Sequence, residues 1–187
     1  MQPKLCEIIG QSKDALAQQY LLDCMIQAFP DEFHLQTLDS LLDLTTMMLP
    51  QVDVLSIYIN LVERLSLFAS NSEENVEELM ESKNVFGLIK KYIDRKVKTS
   101  QETEGGGPPP PLKKELELLV AFLRFSIKSY PLRTDYVNHI LQSAVDAVRT
   151  RSAAELESQE CLKLIQRLLI IPLDTLSLSI LSMNQYP

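Results

Sequence analysis

The chain has 187 residues, of which 45% are hydrophobic and 23% are charged, an ordinary balance for one globular domain with a packed core. Its formal net charge of −7 repels phosphate backbones, which argues against nucleic-acid binding. No apolar run approaches the ~18 residues of a membrane span, and glycine and β-branched clusters are scarce, so the sequence predicts an all-α protein.

A helix-start pattern recurs along this chain. An aromatic or aliphatic residue precedes a proline, and a short lead-in to an apolar run follows it. Proline fits the first turn of a helix but not its interior, so we expect one helix to end before each such proline and another to begin after it. The four occurrences are Phe29-Pro30-Asp31-Glu32-Phe33, Leu49-Pro50, Tyr130-Pro131 with Asp135-Tyr136, and Ile171-Pro172-Leu173-Asp174.

The first predicted elements are four helices. Residues 1–10 look like the end of a helix closed by Gly10, which indicates a piece of a longer protein. A helix over about 12–29 has Tyr20 and Met25 on its apolar stripe, and the next, over about 32–48, turns Leu35, Leu38, Leu42 and Thr45 inward. A helix over about 52–70 carries an unbroken apolar stripe that includes Leu61, and its opposite face includes Arg64.

Residues 72–98 predict a further helix with acidic residues at its start and basic residues at its end, as the helix dipole favours. We expect a break near Lys83-Asn84 or at Gly87. The acidic start comprises Glu73, Glu74, Glu77, Glu78 and Glu81. A solvated helix start is the plainer interpretation of this cluster, and a site for a divalent ion or a basic partner is the alternative.

Periodicity is lost over residues 99–111, where three consecutive glycines precede four prolines. We expect a disordered loop between helices, and the alternative is a proline-rich ligand for an SH3 or WW domain. The predicted organisation is therefore a first set of helical repeats over 1–98, a flexible linker over 99–111, and further repeats over 112–187.

Beyond the linker, apolar stripes predict a helix from Leu112 to Tyr130 and another after Pro131. Ser152-Ala153-Ala154-Glu155 reads as a capping box, and Pro172 is expected to open a last helix. Roughly eight helices in about four antiparallel pairs result. A bundle is the alternative, but the recurring proline signal favours a HEAT-like α-solenoid, whose hairpins repeat about every 40 residues.

Sites for chemistry are sparse in the sequence. His34 and His139 are far apart and lack metal-ligand spacing, and no phosphate-binding or hydrolase motif occurs. The three cysteines form no CxxC pair, and Cys24 and Cys161 fall on apolar stripes, where a reduced thiol acts as a small hydrophobe. We therefore expect a cytosolic protein that is not an enzyme and has no cofactor or metal.

Several stretches resemble the large subunit of retromer, the vacuolar protein sorting protein thirty-five family. The longest runs from Asp14 to Leu21 and on through Phe29-Pro30-Asp31-Glu32-Phe33 to Leu38. Shorter ones are Leu61 to Ala69, Tyr130-Pro131 with Asp135-Tyr136, and Arg167 to Thr175, which contains Pro172 and Asp174. The matches keep their order on both sides of the linker, which itself departs from the family pattern.

The resemblance implies the middle of a HEAT-like solenoid in a coat that is peripheral on the endosomal membrane. In that family the solenoid joins an arrestin-like subunit to a metallophosphoesterase-fold subunit, for retrieval of cargo from endosomes to the Golgi or cell surface. Contacts with these partners lie outside this segment, and cargo tails or sorting nexins are further expected partners. Two rival hypotheses are another solenoid adaptor of the HEAT or armadillo type and an all-α enzyme whose carboxylates bind metal.

Overall fold

The computed structural model describes the backbone of residues 2–71, 76–102 and 110–183, and side chains over 4–71, 76–97 and 110–174. Within these ranges every regular element is a helix. The all-α prediction is confirmed. The chain divides into two compact units, Met1–Pro110 and Pro111–Pro187.

Seven helices are described in the first unit: α1 (Gln2–Gln11), α2 (Ala15–Ala28), α3 (Asp31–Gln36), α4 (Leu38–Thr46), α5 (Val54–Asn71), α6 (Val76–Ser82) and α7 (Val85–Glu102). Its core lies where α2 packs against α5, α1 against both α2 and α4, α3 against α4 and α5, and α7 against α4 and α6. Fully buried aliphatic side chains such as Leu22, Leu41, Leu61 and Leu65 fill this core.

The second unit contains α8 (Leu112–Ser129), α9 (Thr134–Arg149), α10 (Ala153–Leu156) and α11 (Gln159–Met183). It is built around α8, which packs against both α9 and α11, and α10 packs against α11. Because neighbours cover α8 on several sides, its residues Leu116, Leu118, Phe122 and Leu123 are all buried although they point in different directions.

Three of the four proline signals mark helix boundaries as predicted. Pro30 is the N-cap residue of α3, Pro50 lies between α4 and α5, and Pro131 lies between α8 and α9. The prediction is wrong at Pro172, which lies inside α11. Proline there lacks the N–H that would donate to the carbonyl of Leu168, which costs ~3 kcal/mol. The long apolar segment on both sides of Pro172 offsets this cost.

The helix predicted over 32–48 is two helices, because the chain breaks at Thr37. Its φ of −118° and ψ of 14° are not helical, and its Oγ1 donates to the carbonyl of Phe33 at 2.6 Å. Such a side-chain bond competes with the helical ladder. The four residues predicted to point inward, Leu35, Leu38, Leu42 and Thr45, are all buried as expected.

The buried face of α2 differs from the prediction in part, because Met25 is buried as expected but Tyr20 is not. Tyr20 is 68% exposed, whereas Gln18 is 1% exposed. The Gln18 amide donates to the carbonyls of Ile9 and Ser12 and accepts from the backbone N–H of Leu49. These bonds satisfy its polar atoms and so allow Gln18 to be buried on the same face of α2 as Leu22, Met25 and Ile26.

Further boundaries also differ from expectation. Gly10 lies within α1, with Leu44 packed over it, and does not form a cap after the helix. Helix α7 continues to Glu102, so Thr99 to Glu102 are helical rather than part of the linker. Between Gly87 and Gly105 the chain contains no glycine or proline that would end the helix earlier. The rest of the predicted loop, residues 103–109 with its proline-rich ligand alternative, lies outside the described residues.

The expected break at Lys83-Asn84 is confirmed. Asn84 has a φ of 47°, a left-handed conformation that asparagine tolerates, and it separates α6 from α7. A Cβ at Gly87 would lie 2.5 Å from Oδ1 of Asn84, so a larger residue there would require the Asn84 side chain to shift. With the short helices α3, α6 and α10, the described residues form eleven helices rather than the roughly eight predicted.

Candidate functional site

The turn between α2 and α3 contains the first group of predicted signature residues. Phe29 ends α2, Pro30 precedes α3, and Asp31 begins it. Pro30 has the extended backbone of an N-cap residue, with a φ of −61° and a ψ of 155°. The rings of Phe29 and Phe33 stack at a centroid distance of 4.6 Å. The sequence pattern thus forms one compact turn in space.

Arg64 of α5 holds this first turn from a distance in sequence. Its Nε lies 2.5 Å from Oδ1 of Asp31. Its two terminal nitrogens donate to the carbonyls of Ile26, Gln27 and Phe29. A guanidinium at the C-terminal end of α2 satisfies carbonyls that the helix leaves open and complements its dipole.

The placement of Arg64 corrects the sequence interpretation, which put it on the solvent-facing side of its helix. The side chain is 28% exposed, because it reaches across to α2 and α3. It belongs to the block from Leu61 to Ala69 that carried part of the resemblance. No local sequence pattern, however, predicts that Arg64 pairs with Asp31, 33 residues away.

His34 reinforces the same turn from inside. It is 2% exposed, and its Nε2 donates to the carbonyl of Ile26 at 3.0 Å. Burial, which disfavours the charged imidazolium, lowers the pKa of His34 below its ordinary value, and the nearby charge of Arg64 acts in the same direction. A neutral imidazole with its proton on Nε2 therefore fits this position.

The turn between α8 and α9 contains the second signature group. Tyr130 is 1% exposed, and its ring meets those of Phe125 and Tyr136 edge to face, at 6.0 and 5.2 Å. The guanidinium of Arg133 lies 4.0 Å from the centroid of the Tyr136 ring, a cation–π contact. Arg133 also pairs with Asp135 through two hydrogen bonds of 3.0 and 2.9 Å, which lower the pKa of the Asp135 carboxyl.

Pro50 and Pro172 have different surroundings. The segment around Pro50 is tied to α2, because Gln18 accepts from the N–H of Leu49 and Gln19 accepts from that of Asp53. Pro172 is half-buried within α11, and Asp174 is exposed on the same helix. The structure thus brings the signature residues together in two separate turns. The remaining positions do not join either group.

A buried ion pair in the second unit was missed from the sequence. Arg151, after α9, donates from Nη2 to Oε2 of Glu115 on α8 at 2.9 Å. The two side chains are only 5% and 6% exposed. Arg151 also lies 4.0 Å from Glu155, whose other carboxylate oxygen accepts from Ser152 Oγ in the expected capping segment. The Ser152 side chain makes no capping bond to the backbone, so the capping box forms only in part.

A small polar cavity of about 170 Å³ lies between α4, α5 and α7. Within it, Tyr58 Oη and Thr45 Oγ1 are 2.7 Å apart, and Tyr92 Oη donates to Asp43. Burial raises the pKa of Tyr58, and burial together with the Asp43 carboxylate raises the pKa of Tyr92 to about 12. The lining residues are Thr45, Thr46, Met48, Tyr58, Tyr92, Arg95 and Lys96.

The remaining candidates for chemistry do not converge. Over the described ranges, no three His, Cys, Asp or Glu side chains are close enough to hold a metal ion together. His139 is exposed on α9. Glu77 and Glu78 lie in the first turn of α6, while Glu73 and Glu74 fall outside the described residues. Within the same limits, none of the helices has the length and apolar content to cross a membrane.

Comparison with known proteins gives one family over the whole chain. The family model of Vacuolar protein sorting-associated protein 35 matches residues 1–187. Vacuolar protein sorting-associated protein 35B of Arabidopsis thaliana is 34% identical over 187 residues, which are 99% of this chain and 22% of that protein.

Relatives from two other lineages match as well. Vacuolar protein sorting-associated protein 35 of Dictyostelium discoideum is 33% identical over 186 residues, covering 98% of this chain and 22% of its own length. Its namesake in Schizosaccharomyces pombe is 26% identical over 169 residues, covering 75% of this chain and 20% of its own length. The chain thus spans about a fifth of the length of these relatives.

Proposed function

The chain belongs to the family of Vacuolar protein sorting-associated protein 35, and from that membership we propose that it is a non-catalytic scaffold segment of the retromer cargo-selective complex. Its fold is the all-α solenoid class of this family. The segment serves endosome-to-Golgi and recycling transport of membrane cargo from the cytoplasmic face of the endosome, as a peripheral component. The observation that carries this proposal is the match of the family model from residue 1 to residue 187.

The contacts inside each unit support a mechanical role. Within the first unit, Arg64 and Gln18 tie together segments more than 30 residues apart in sequence. Within the second, the buried pair of Glu115 and Arg151 does the same. Long-range ties of this kind keep helices in fixed positions, as a spacer between two attached subunits requires.

We assign the complex-forming contacts to chain outside these 187 residues. The arrestin-like subunit and the metallophosphoesterase-fold subunit bind there, and this segment holds them apart. Cargo tails and sorting nexins are further partners of the assembled complex. A peptide-binding adaptor of another solenoid family is disfavoured, because the family match extends over the complete chain.

A chimera tests the proposal. The matching segment of the Dictyostelium discoideum relative, which is 33% identical, is replaced by these 187 residues, and the chimera is expressed in cells that lack the relative. We expect the chimera to coprecipitate both end subunits and to restore retrieval of a sorting receptor from endosomes. The matched control is the same chimera carrying Leu61→Asp in the buried core.

Two results would contradict the proposal. A folded chimera that fails to restore retrieval although it captures both end subunits would show that this segment does more than set a distance. Restoration by the Leu61→Asp control, which disrupts the core of the first unit, would show that the folded segment is dispensable.

A further inference from the structure

A carboxylate lies between a serine hydroxyl and a buried arginine in the second unit. Ser152 Oγ donates to Oε2 of Glu155 at 3.2 Å, and the other oxygen of that carboxylate, Oε1, lies 4.0 Å from Nη1 of Arg151. The Glu155 side chain is 41% exposed, and 4.0 Å is longer than a hydrogen bond. The arrangement therefore marks a position for an anion next to Arg151 that Glu155 occupies only loosely.

Arg151 has a donor that its ion pair does not use. Its Nη2 donates to Glu115 at 2.9 Å, whereas its Nε is buried and has no hydrogen-bond partner among the described residues. A guanidinium presents five N–H donors in a fixed fork, and a buried N–H without an acceptor is costly. The side chain is only 5% exposed, so water is largely excluded from it. A second anion beside Arg151 would therefore satisfy a group that the ion pair leaves without an acceptor.

We propose that Ser152 is a phosphorylation site and that Arg151 receives the phosphate group. The inference is independent of the scaffold role. A phosphate on Ser152 Oγ extends from the atom that is now hydrogen-bonded to Glu155, so its terminal oxygens take the position of that carboxylate and displace it by repulsion between like charges. With a charge of about −1.5 to −2 and three acceptor oxygens, the phosphate is a stronger partner for a guanidinium than a carboxylate.

The partner that modifies Ser152 is a protein kinase that recognises an arginine before the acceptor residue. Arg149 is exposed three residues before Ser152, and kinases distinguish substrates by charge patterns of this kind. In the transfer, Ser152 Oγ forms a bond to the terminal phosphorus of a nucleoside triphosphate as the bond between that phosphorus and its bridging oxygen breaks. The nucleoside diphosphate leaves, and the hydroxyl proton passes to the catalytic base of the kinase.

The segment that contains Ser152 is accessible to such an enzyme. Ser152 is exposed, and its backbone is extended, with a φ of −69° and a ψ of 153°. The helix that follows, α10, has four residues and buries none of them, so its local unfolding exposes little apolar surface. Ser126 and Ser129 on α8 are at most 2% exposed and are shielded. Ser158 is exposed but has the acidic Glu155, not an arginine, three residues before it.

The first test is phosphorylation of the 187-residue protein by an arginine-directed kinase, with the modified residue identified by mass spectrometry. We expect Ser152 to be modified and Ser158 to stay unmodified. Arg149→Gln should slow the reaction at least ~10-fold, the loss expected for one hydrogen bond to a charged group. The matched control Arg167→Gln removes the same charge from an exposed position on α11 and should change the rate less than ~2-fold. An unmodified Ser152, or equal rates for Arg149→Gln and wild type, would overturn the assignment.

The second test measures whether Arg151 holds the phosphate. Protein with phosphoserine incorporated at position 152 is titrated by ³¹P nuclear magnetic resonance. We expect the second pKa of the phosphate to lie ~1 below its ordinary value of ~6, because a neighbouring guanidinium favours the doubly charged form. The double variant Glu115→Met with Arg151→Met removes both charges of the ion pair, and there the pKa should return to ~6. The same pKa in both proteins would rule out the role of Arg151.

A third variant tests the position of the phosphate without disturbing the core. Glu155→Gln removes the carboxylate that the phosphate displaces, and we expect it to lower the pKa of the phosphate further, since one like charge is gone. A pKa that Glu155→Gln leaves unchanged would place the phosphate elsewhere and contradict the proposal. Phosphorylation of the wild type should also raise the melting temperature. A fall would show that the phosphate breaks the pair of Arg151 with Glu115, which is the opposite of the arrangement proposed.

Discussion

The two aromatic-proline turns are supported in different ways. The turn between α2 and α3 is held by Arg64, which comes from α5 and reaches an aspartate and three carbonyls. The turn between α8 and α9 is held by Arg133, which pairs with Asp135 only two residues away. Similar sequence patterns therefore form turns whose described arginine contacts reach distant residues in one unit and a neighbouring aspartate in the other.

The two units differ in where their contacts between sequence-distant residues lie. In the first unit the remote tie is at the turn itself. In the second unit it is away from the turn, in the buried pair of Glu115 and Arg151. Removal of an arginine from a turn should consequently affect the first unit much more than the second.

The largest expected effect comes from breaking the helix that carries Arg64. Leu61 is 1% exposed on α5, and Leu61→Asp would place an unpaired charge in the core of the first unit. We expect a loss of more than ~4 kcal/mol and unfolding of that unit. Far-ultraviolet circular dichroism and the melting temperature measure this loss. Leu67→Asp, at a 57% exposed position of the same helix, is the control and should leave both unchanged.

The next effect concerns the remote tie of the second unit. Arg151→Met leaves the Glu115 carboxylate buried without its partner, and we expect a cost of ~3–5 kcal/mol in the free energy of unfolding. The double variant Glu115→Met with Arg151→Met removes both charges and should recover most of that loss. Denaturant unfolding of both variants measures the two values. If the double variant is as unstable as Arg151→Met, the stability is lost with the ion pair itself and not through the unpaired Glu115 carboxylate that Arg151→Met leaves buried.

The comparison of the turns is tested directly by removing each arginine. Arg64→Met should cost ~2–3 kcal/mol, because Asp31 and three carbonyls lose charged hydrogen bonds, with partial replacement by water at this 28% exposed site. Arg133→Met should cost less than Arg64→Met, because the side chains of its pair with Asp135 are more exposed to solvent, at 38% and 54%. Chemical denaturation measures both. Equal losses would contradict the distinction between remote and local support.

The smallest effect is a pH dependence at the first turn. Because the pKa of His34 is lower in the folded protein than in the unfolded chain, the unfolded chain takes up the proton first as pH falls. The contribution of His34 to stability is therefore complete above its unfolded pKa of ~6.5 and decreases below it. Melting temperatures between pH 8 and 5 should decline less steeply in His34→Gln, whose amide can also donate to Ile26. The exposed control His139→Gln should follow the wild type.

The sequence was sufficient for features that depend on local chemistry. Proline geometry located three of four helix boundaries, and the apolar period located the buried stripe of α5. It was insufficient where a polar side chain finds a distant partner. Gln18 is buried because a loop 31 residues away donates to it, and Arg64 because its acceptors lie at the end of another helix. Neither partner can be read from neighbouring residues.

Pro172 was misplaced for the opposite reason. The local rule that proline starts a helix is sound, but the apolar residues on both sides of it continue α11 at the expense of one hydrogen bond. Thr37 shows the converse, since an ordinary residue ends α3 through its own side-chain bond. The polar cavity could not be predicted from a sequence motif either, because its lining residues come from three helices and a loop.

The proline within α11 has a mechanical consequence. Because Pro172 has no N–H, it cannot donate a hydrogen bond to the carbonyl of Leu168. The helix is therefore easier to bend at that turn than at its other turns. A force applied along the chain would deform α11 first between Leu168 and Pro172. Within α11, bending compliance is thereby highest at this turn.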